Sequence, residues 1–164
     1  MKEVRPTSGR VLSALFSILG DISGIRFLDM FAGTGRVGLE AMSRGAECVF
    51  VEGVRERAES IRKSAGDSVV LALDVRRAVS WLVKREHKFG VIFADPPYNS
   101  GWCESLPALH DLEKLFDDDC IFIVEHSVRE EINPGKFAIT SQRDYGETRL
   151  TFMEAVKVDK QTQG

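Results

Sequence analysis

A chain of 164 residues, 43% hydrophobic and 29% charged, has the length and composition of one globular domain. That balance excludes disordered, fibrous and membrane-spanning classes. Net charge is −3, but residues 1–90 carry 15 Lys/Arg against 11 Asp/Glu, whereas residues 91–164 carry 7 against 14. The basic first half could therefore meet a polyanion although the whole chain is acidic.

Cys48, Cys103 and Cys120 form no C-x-x-C pair and no Cys/His cluster, so no metal is expected. They read as reduced thiols of a cytoplasmic protein. The start, MKEVRPTSGR, lacks the apolar core of a signal peptide, and no apolar run approaches the roughly 20 residues of a membrane span. Residues 1–164 are read as one domain, with an N-terminal helix segment within 1–20 and a frayed tail at 156–164.

In SGRVLSALFSILG, Val11, Leu15 and Ile18 recur at helical spacing beside Leu12, Phe16 and Leu19. Thr7 or Ser8 can cap this helix and Gly20 can stop it. Strand and helix then alternate: IRFLD, RVGLEAMSRG, ECVFVE, VRERAESIRKSAG, SVVLAL, VRRAVSWLVKRE and FGVIFA. A helix is expected over much of WCESLPALHDLEKL, with Pro107 near an end or kink, and CIFIVE is a fifth strand. This alternation predicts an α/β fold, a mostly parallel Rossmann-like sheet with helices on both faces. KFAITSQRDYGETRLTFMEAV reads instead as an antiparallel edge hairpin turning at Tyr145-Gly146-Glu147.

The first strand runs into LDMFAGTGRVG, where Gly33, Gly35 and Gly38 make a G-x-G-x-x-G between strand and helix. Such a loop brings backbone close to a nucleotide-like ligand, although a tight turn would also explain it. Glu52, ending the second strand, can accept both hydroxyls of a ribose. Asp29 would repel a pyrophosphate and attract an ammonium; it can also cap the next turn. Asp74, ending the third strand, can accept from an adenine amino group or cap the helix that follows. An amino acid at one end and adenosine at the other describe S-adenosylmethionine. The candidate cofactor residues are thus Asp29, Phe31, Ala32, Gly33, Thr34, Gly35, Glu52, Gly53, Asp74 and Val75.

The fourth strand stops at Asp95-Pro96-Pro97-Tyr98. An exocyclic amine on a base is a poor nucleophile, because its lone pair is delocalised into the ring. Asp95 and the Pro96 carbonyl can accept its two hydrogens and favour a tetrahedral nitrogen. The proline pair would hold that carbonyl's direction. Tyr98 can stack on the base. These four are the candidate catalytic residues; a proline corner turn is the plainer alternative.

[DN]-P-P-[YF] after the fourth strand, with an acidic glycine loop after the first, resembles the class I methyltransferases that act on amino groups. RPTSGRVLSALFSIL, FLDMFAGTGRVGLEAMSRGA, VFVE, DPPY and YGETRL together resemble the bacterial small-subunit (16S) ribosomal RNA guanine-N2 methyltransferases, the D family, from Arg5 to about Ala155. The resemblance implies seven strands with an antiparallel last one, and methylation of the 2-amino group of one guanine. It also implies a partner in ribosomal RNA or the small subunit. Arg5 and Thr7 would approach cofactor or substrate, and Tyr145 and Gly146 would line the base pocket or simply turn the hairpin. Arg10, Arg36, Arg44, Arg76 and Arg77 are candidates for phosphate contacts. Only MKEV precedes Arg5, where the family carries a short basic strand segment, a departure bearing on RNA docking. A monomer is expected. A DNA adenine-N6 methyltransferase, a release-factor glutamine methyltransferase, a dehydrogenase and a non-catalytic binding protein of the same fold are the alternatives.

Overall fold

The computed structural model describes residues 7–157; Arg5 and residues 158–164 of the expected tail lie outside the described residues. One seven-stranded sheet forms the centre, in the order β3-β2-β1-β4-β5-β7-β6. Its strands are β1 (Arg26–Met30), β2 (Glu47–Val51), β3 (Val70–Leu71), β4 (Phe89–Ala94), β5 (Phe116–Ser127), β6 (Phe137–Tyr145) and β7 (Thr148–Ala155). β1 to β5 run parallel to one another; β7 runs antiparallel to both β5 and β6. The sheet has the predicted Rossmann-like form, with the antiparallel edge hairpin that YGETRL announced.

The helices are α1 (Gly9–Leu19), α2 (Arg36–Ser43), α3 (Arg55–Ser64), α4 (Val75–Lys84) and the short α5 (Trp102–Ser105). Alternation along β1 sends Phe27 to the core layer shared with α1, α2 and α3, and Leu28 and Met30 to the layer shared with α4. Both faces are covered, which is why these strands are mostly apolar, with Asp29 the buried exception in β1. Ser8 caps α1, its hydroxyl accepting from Val11 N at 3.2 Å, and Gly20 ends it at φ 68°.

Three sequence expectations need correction. The segment Trp102–Leu115 is not one helix: α5 stops at Ser105, and only a 3₁₀ turn, Leu112–Leu115, follows. Pro107 removes a backbone donor and crowds the preceding turn, so the helix cannot continue. β3 holds two residues rather than six, because the chain leaves the sheet edge to reach the α4 cap at Asp74. β5 is twice as long as CIFIVE: it begins at Phe116, opposite Phe89 of β4, and continues to Ser127, where β7 pairs with it.

Candidate active site

The register sets the site. Met30 of β1 lies opposite Val51 of β2 and Ala94 of β4, and Ala94 lies opposite Val124 of β5. The residues that follow therefore emerge together at the carboxyl ends of adjacent strands. They open into a cleft of about 1010 Å³. Asp29, Phe31, Ala32, Gly33, Thr34, Glu52, Gly53, Asp74, Val75 and Asp95 to Tyr98 all line it. Of the expected site residues only Gly35 does not. It begins α2 from a left-handed φ of 81°, and a Cβ there would lie 3.0 Å from Ile61 Cγ1.

Glu52 holds the glycine loop in place. Its Oε1 accepts from Gly33 N at 2.8 Å and its Oε2 from Val54 N at 2.7 Å. Each carboxylate oxygen keeps a lone pair for another donor. Phe31 takes a left-handed φ of 57°, rare for an aromatic residue, and meets Trp102 edge-on at 5.2 Å. Asp29 is 1% exposed and its Oδ2 accepts from Gly38 N, in the first turn of α2, at 3.0 Å. It therefore caps α2 and lines the cleft at once. Burial pushes its carboxyl up to about 7; the Gly38 hydrogen bond opposes this, while the nearby Glu52 and Glu125 carboxylates add to it. Asp74 is likewise an N-cap, accepting from Arg77 N at 3.1 Å, with its other oxygen 3.7 Å from Arg77 Nε.

Across the cleft, the Tyr98 hydroxyl is hydrogen-bonded to Thr148 Oγ1 at 3.1 Å, and Asn99 N donates to Glu130 Oε1 at 2.7 Å. The proline segment is thus pinned to the edge hairpin and to the loop after β5. Asp95 is pushed well above the carboxylate range by burial, then by the charges of Glu125 and Asp29, with the Thr7 hydroxyl opposing. Glu125, 4% exposed, is also raised by burial, and its Oε2 accepts from Thr7 Oγ1 at 2.9 Å.

Sequence reasoning missed Glu125, Glu147, Thr148 and Trp102, all of which line the cleft. Glu125 had a signal: an acid following an apolar strand, as at Glu52, Asp74 and Asp95. From the hairpin, Glu147 and Thr148 reach the cleft in place of Tyr145 and Gly146. Tyr145 packs with the α1-side core under the Arg10 guanidinium, 5.7 Å from its ring, and Gly146 supplies the turn at φ 62°. Thr7 does not cap α1 but bonds Glu125. The expected phosphate-contact arginines each have partners within the protein, Arg77 pairing with Asp74. Arg36 donates to Thr7 O, Arg44 pairs with Glu40 at 3.0 Å, and Arg76 lies over the Trp102 ring at 4.5 Å. Among the described residues no His/Cys/Asp/Glu group could hold a metal ion, no helix is long and apolar enough to cross a membrane, and the three cysteines are free and buried.

The model of the family described as conserved hypothetical protein 95 matches residues 1–154. The chain belongs to that family. A Bacillus subtilis relative, YlbH, provisionally named an rRNA methyltransferase, is 32% identical over 154 residues, covering 88% of this chain and 84% of its own. Ribosomal RNA small subunit methyltransferase D of Escherichia coli is 32% identical over 132 residues, 76% of this chain and 65% of that one. The Thermus thermophilus 16S rRNA N2 G1207 methyltransferase, solved with AdoMet and guanosine, superposes with a TM-score of 0.71 at 25% identity, over 94% of this chain and 44% of that one. The family resemblance read from the motifs and the Rossmann-like methyltransferase fold both stand.

Proposed function

We propose that this protein methylates RNA of the small ribosomal subunit, using S-adenosylmethionine, at the exocyclic 2-amino group of a guanine. The observation that carries the reading is the meeting of Asp95-Pro96-Pro97-Tyr98 with the Glu52-anchored glycine loop in one cleft. The names of the relatives support the same activity and substrate class.

The cleft fits the cofactor. Asp29 and Glu52 offer negative charge to cationic groups, Glu52 retains lone pairs for ribose hydroxyls, and Val54 and Phe31 supply apolar walls. S-Adenosylmethionine bound there would supply an electrophilic methyl group on a sulfonium. The work of the protein is to prepare the nucleophile. Asp95 accepts one amine hydrogen and the Pro96 carbonyl the other, which turns the nitrogen lone pair out of conjugation. Tyr98, held by Thr148, presents an aromatic face for the base.

The test is direct. Incubate the protein with methyl-labelled cofactor and either unmodified small-subunit rRNA, small subunits or DNA, then digest and identify the labelled nucleoside. N2-Methylguanine in rRNA is expected. N6-Methyladenine in DNA would replace the substrate assignment, and binding of NAD in preference to S-adenosylmethionine would overturn the whole reading.

A further inference from the structure

Glu125 sits in β5, one residue beyond the Ala94–Val124 pair that aligns the end of β4. Across the sheet its partner is Leu150 of β7, which brings no side-chain polar group. Its polar contact is Thr7, whose Oγ1 donates to Glu125 Oε2 at 2.9 Å; Thr7, Asp95 and Glu125 line one cleft, Asp95 and Glu125 being the residues that follow the paired Ala94 and Val124. A threonine hydroxyl has one hydrogen to donate. It can bridge two carboxyl groups only if one of them is protonated and donates to the hydroxyl oxygen. Either Asp95 carries the proton and Thr7 donates to Glu125, or Glu125 carries it and Thr7 donates to Asp95.

We propose that Thr7 joins Asp95 and Glu125 into a relay holding one proton, with Glu125 as the positioning residue that stores it and Asp95 as the catalytic residue that faces the amine. The proposal rests on the amino-methylation reading. When the two amine hydrogens approach Asp95 and the Pro96 carbonyl, an ionised Asp95 is favoured. The shared proton then passes through the Thr7 hydroxyl to Glu125. Methylation leaves the nitrogen with a positive charge. One N–H bond breaks, its electron pair stays on nitrogen, and the proton forms an O–H bond on Asp95. The relay goes from one proton to two, from charge −1 to 0, and the extra proton passes to water once product leaves. Neutralisation suits a site out of water, where burial already raises both carboxyls.

The charged surroundings favour retention of that proton. Asp29 from β1, Glu52 from β2, Asp74 before α4 and Glu147 from the hairpin share the cleft with Arg36 and Arg57, and the Arg36 guanidinium donates to the Thr7 carbonyl at 2.7 Å. His126 points to the other face of β5; it is buried, lowered by burial and hydrogen-bonded to Thr151.

Two measurements test the relay. Carboxyl-carbon NMR of the free protein, labelled at Asp and Glu, should show Asp95 and Glu125 titrating as a coupled pair, with the last proton released above the ordinary carboxylate range. Glu125→Gln should leave a single Asp95 titration moved down by at least one pH unit, and Thr7→Val should uncouple the pair. Two independent titrations in the ordinary carboxylate range, or an Asp95 titration unmoved by Glu125→Gln, would overturn the shared proton. Single-turnover methylation of unmodified small-subunit rRNA between pH 6 and 10 should give a bell-shaped profile. Glu125→Gln, the isosteric neutral variant, should lose the alkaline fall and retain more of the neutral-pH rate than Glu125→Ala, which should lose at least tenfold. An alkaline limb unchanged in Glu125→Gln would overturn the role in proton uptake. A wild-type protein with the paired titration but no methylation of rRNA, small subunits or DNA would overturn the assigned activity, leaving the shared proton to the NMR result.

Discussion

The two halves of the cleft are built differently. On the β1–β2 side, nearly every polar contact is local: Asp29 caps the helix that follows its own strand, Glu52 holds a loop nineteen residues away, and Asp74 caps α4. On the β4–β5–β7 side, the contacts join distant segments: Thr7 to Glu125 across 118 residues, and Tyr98 to Thr148 across 50. The first half is a rigid cradle made by strand-to-helix turns. The second exists only when the whole sheet, the N-terminal segment and the edge hairpin have come together. The polar contacts of the cradle therefore lie within the parallel core, whereas those of the opposite side depend on long-range assembly.

The sharpest division between the halves should come from Asp95→Ala. It removes an acceptor from the reacting amine and touches none of the glycine-loop contacts. Turnover should fall by roughly 10²–10³-fold or more, the scale for losing one preorganised polar partner, with cofactor affinity by calorimetry nearly unchanged. Parallel losses in both would mean that the two halves are not separable. Gly35→Val should show the converse. Its φ of 81° is unfavourable for a β-branched side chain, and the new Cβ would press on Ile61 at 3.0 Å. Distortion of the loop should cost cofactor binding at least tenfold; unchanged affinity would remove the loop from the site.

Asp29 ties the cradle to pH. Its folded carboxyl titrates near 7 against an ordinary value of 3.8. Between those values the folded protein holds a proton that the unfolded chain has released. Its contribution to stability is therefore complete below about pH 4 and is lost as pH rises toward 7, with a slope of up to about 1.4 kcal/mol per pH unit. Asp29→Asn should keep a side-chain acceptor for Gly38 and remove that slope in urea titrations between pH 4.5 and 7. A cationic ligand favours the ionised carboxyl, so wild-type cofactor affinity should rise with pH up to about 7, and the variant should lose this rise as well.

On the acceptor side, Tyr98→Phe and Thr148→Val each break the hydrogen bond between the proline segment and the hairpin. Each should raise the KM for RNA a few-fold with smaller changes in cofactor affinity. The double variant should be no worse than the singles, because both remove one interaction. Additive losses would mean that the two residues contact RNA independently.

Legibility in the sequence follows the same division. The glycine loop, Glu52 and the proline segment were readable because each depends on a few adjacent residues and on strand order. The sheet itself was readable from alternation, and the hairpin from Tyr145-Gly146-Glu147. Thr7 shared the cap assignment with Ser8, which holds it, and only the family resemblance pointed Thr7 toward the site, because its partner is 118 residues away. Thr148 was missed because only hairpin geometry brings it, and not Tyr145, to the cleft. Glu125 was missed although it closes the apolar run CIFIVE as Glu52 closes ECVFVE; no adjacent motif marked it, and its partner Thr7 lies 118 residues away. The broken helix after Trp102 shows the limit of apolar spacing, which carried the pattern through Pro107 where backbone chemistry stops it.

The smallest effect separates two duties of one residue. Asp74 caps α4 through Arg77 N and lines the cleft where an adenine amino group would lie. Asp74→Ala removes both functions; Asp74→Ser keeps a cap with a shorter side chain. Alanine should lower stability by about 1 kcal/mol, whereas serine should restore most of that loss in denaturant titrations. If Asp74 also accepts from adenine, both variants should weaken cofactor binding by a similar few-fold factor, because serine at the cap no longer reaches the ligand. If affinity recovers with stability in the serine variant, the cap alone accounts for Asp74. The cradle would then hold its ligand through Glu52, Asp29 and the glycine loop, and every acidic strand end on that side would be explained first by the backbone it anchors.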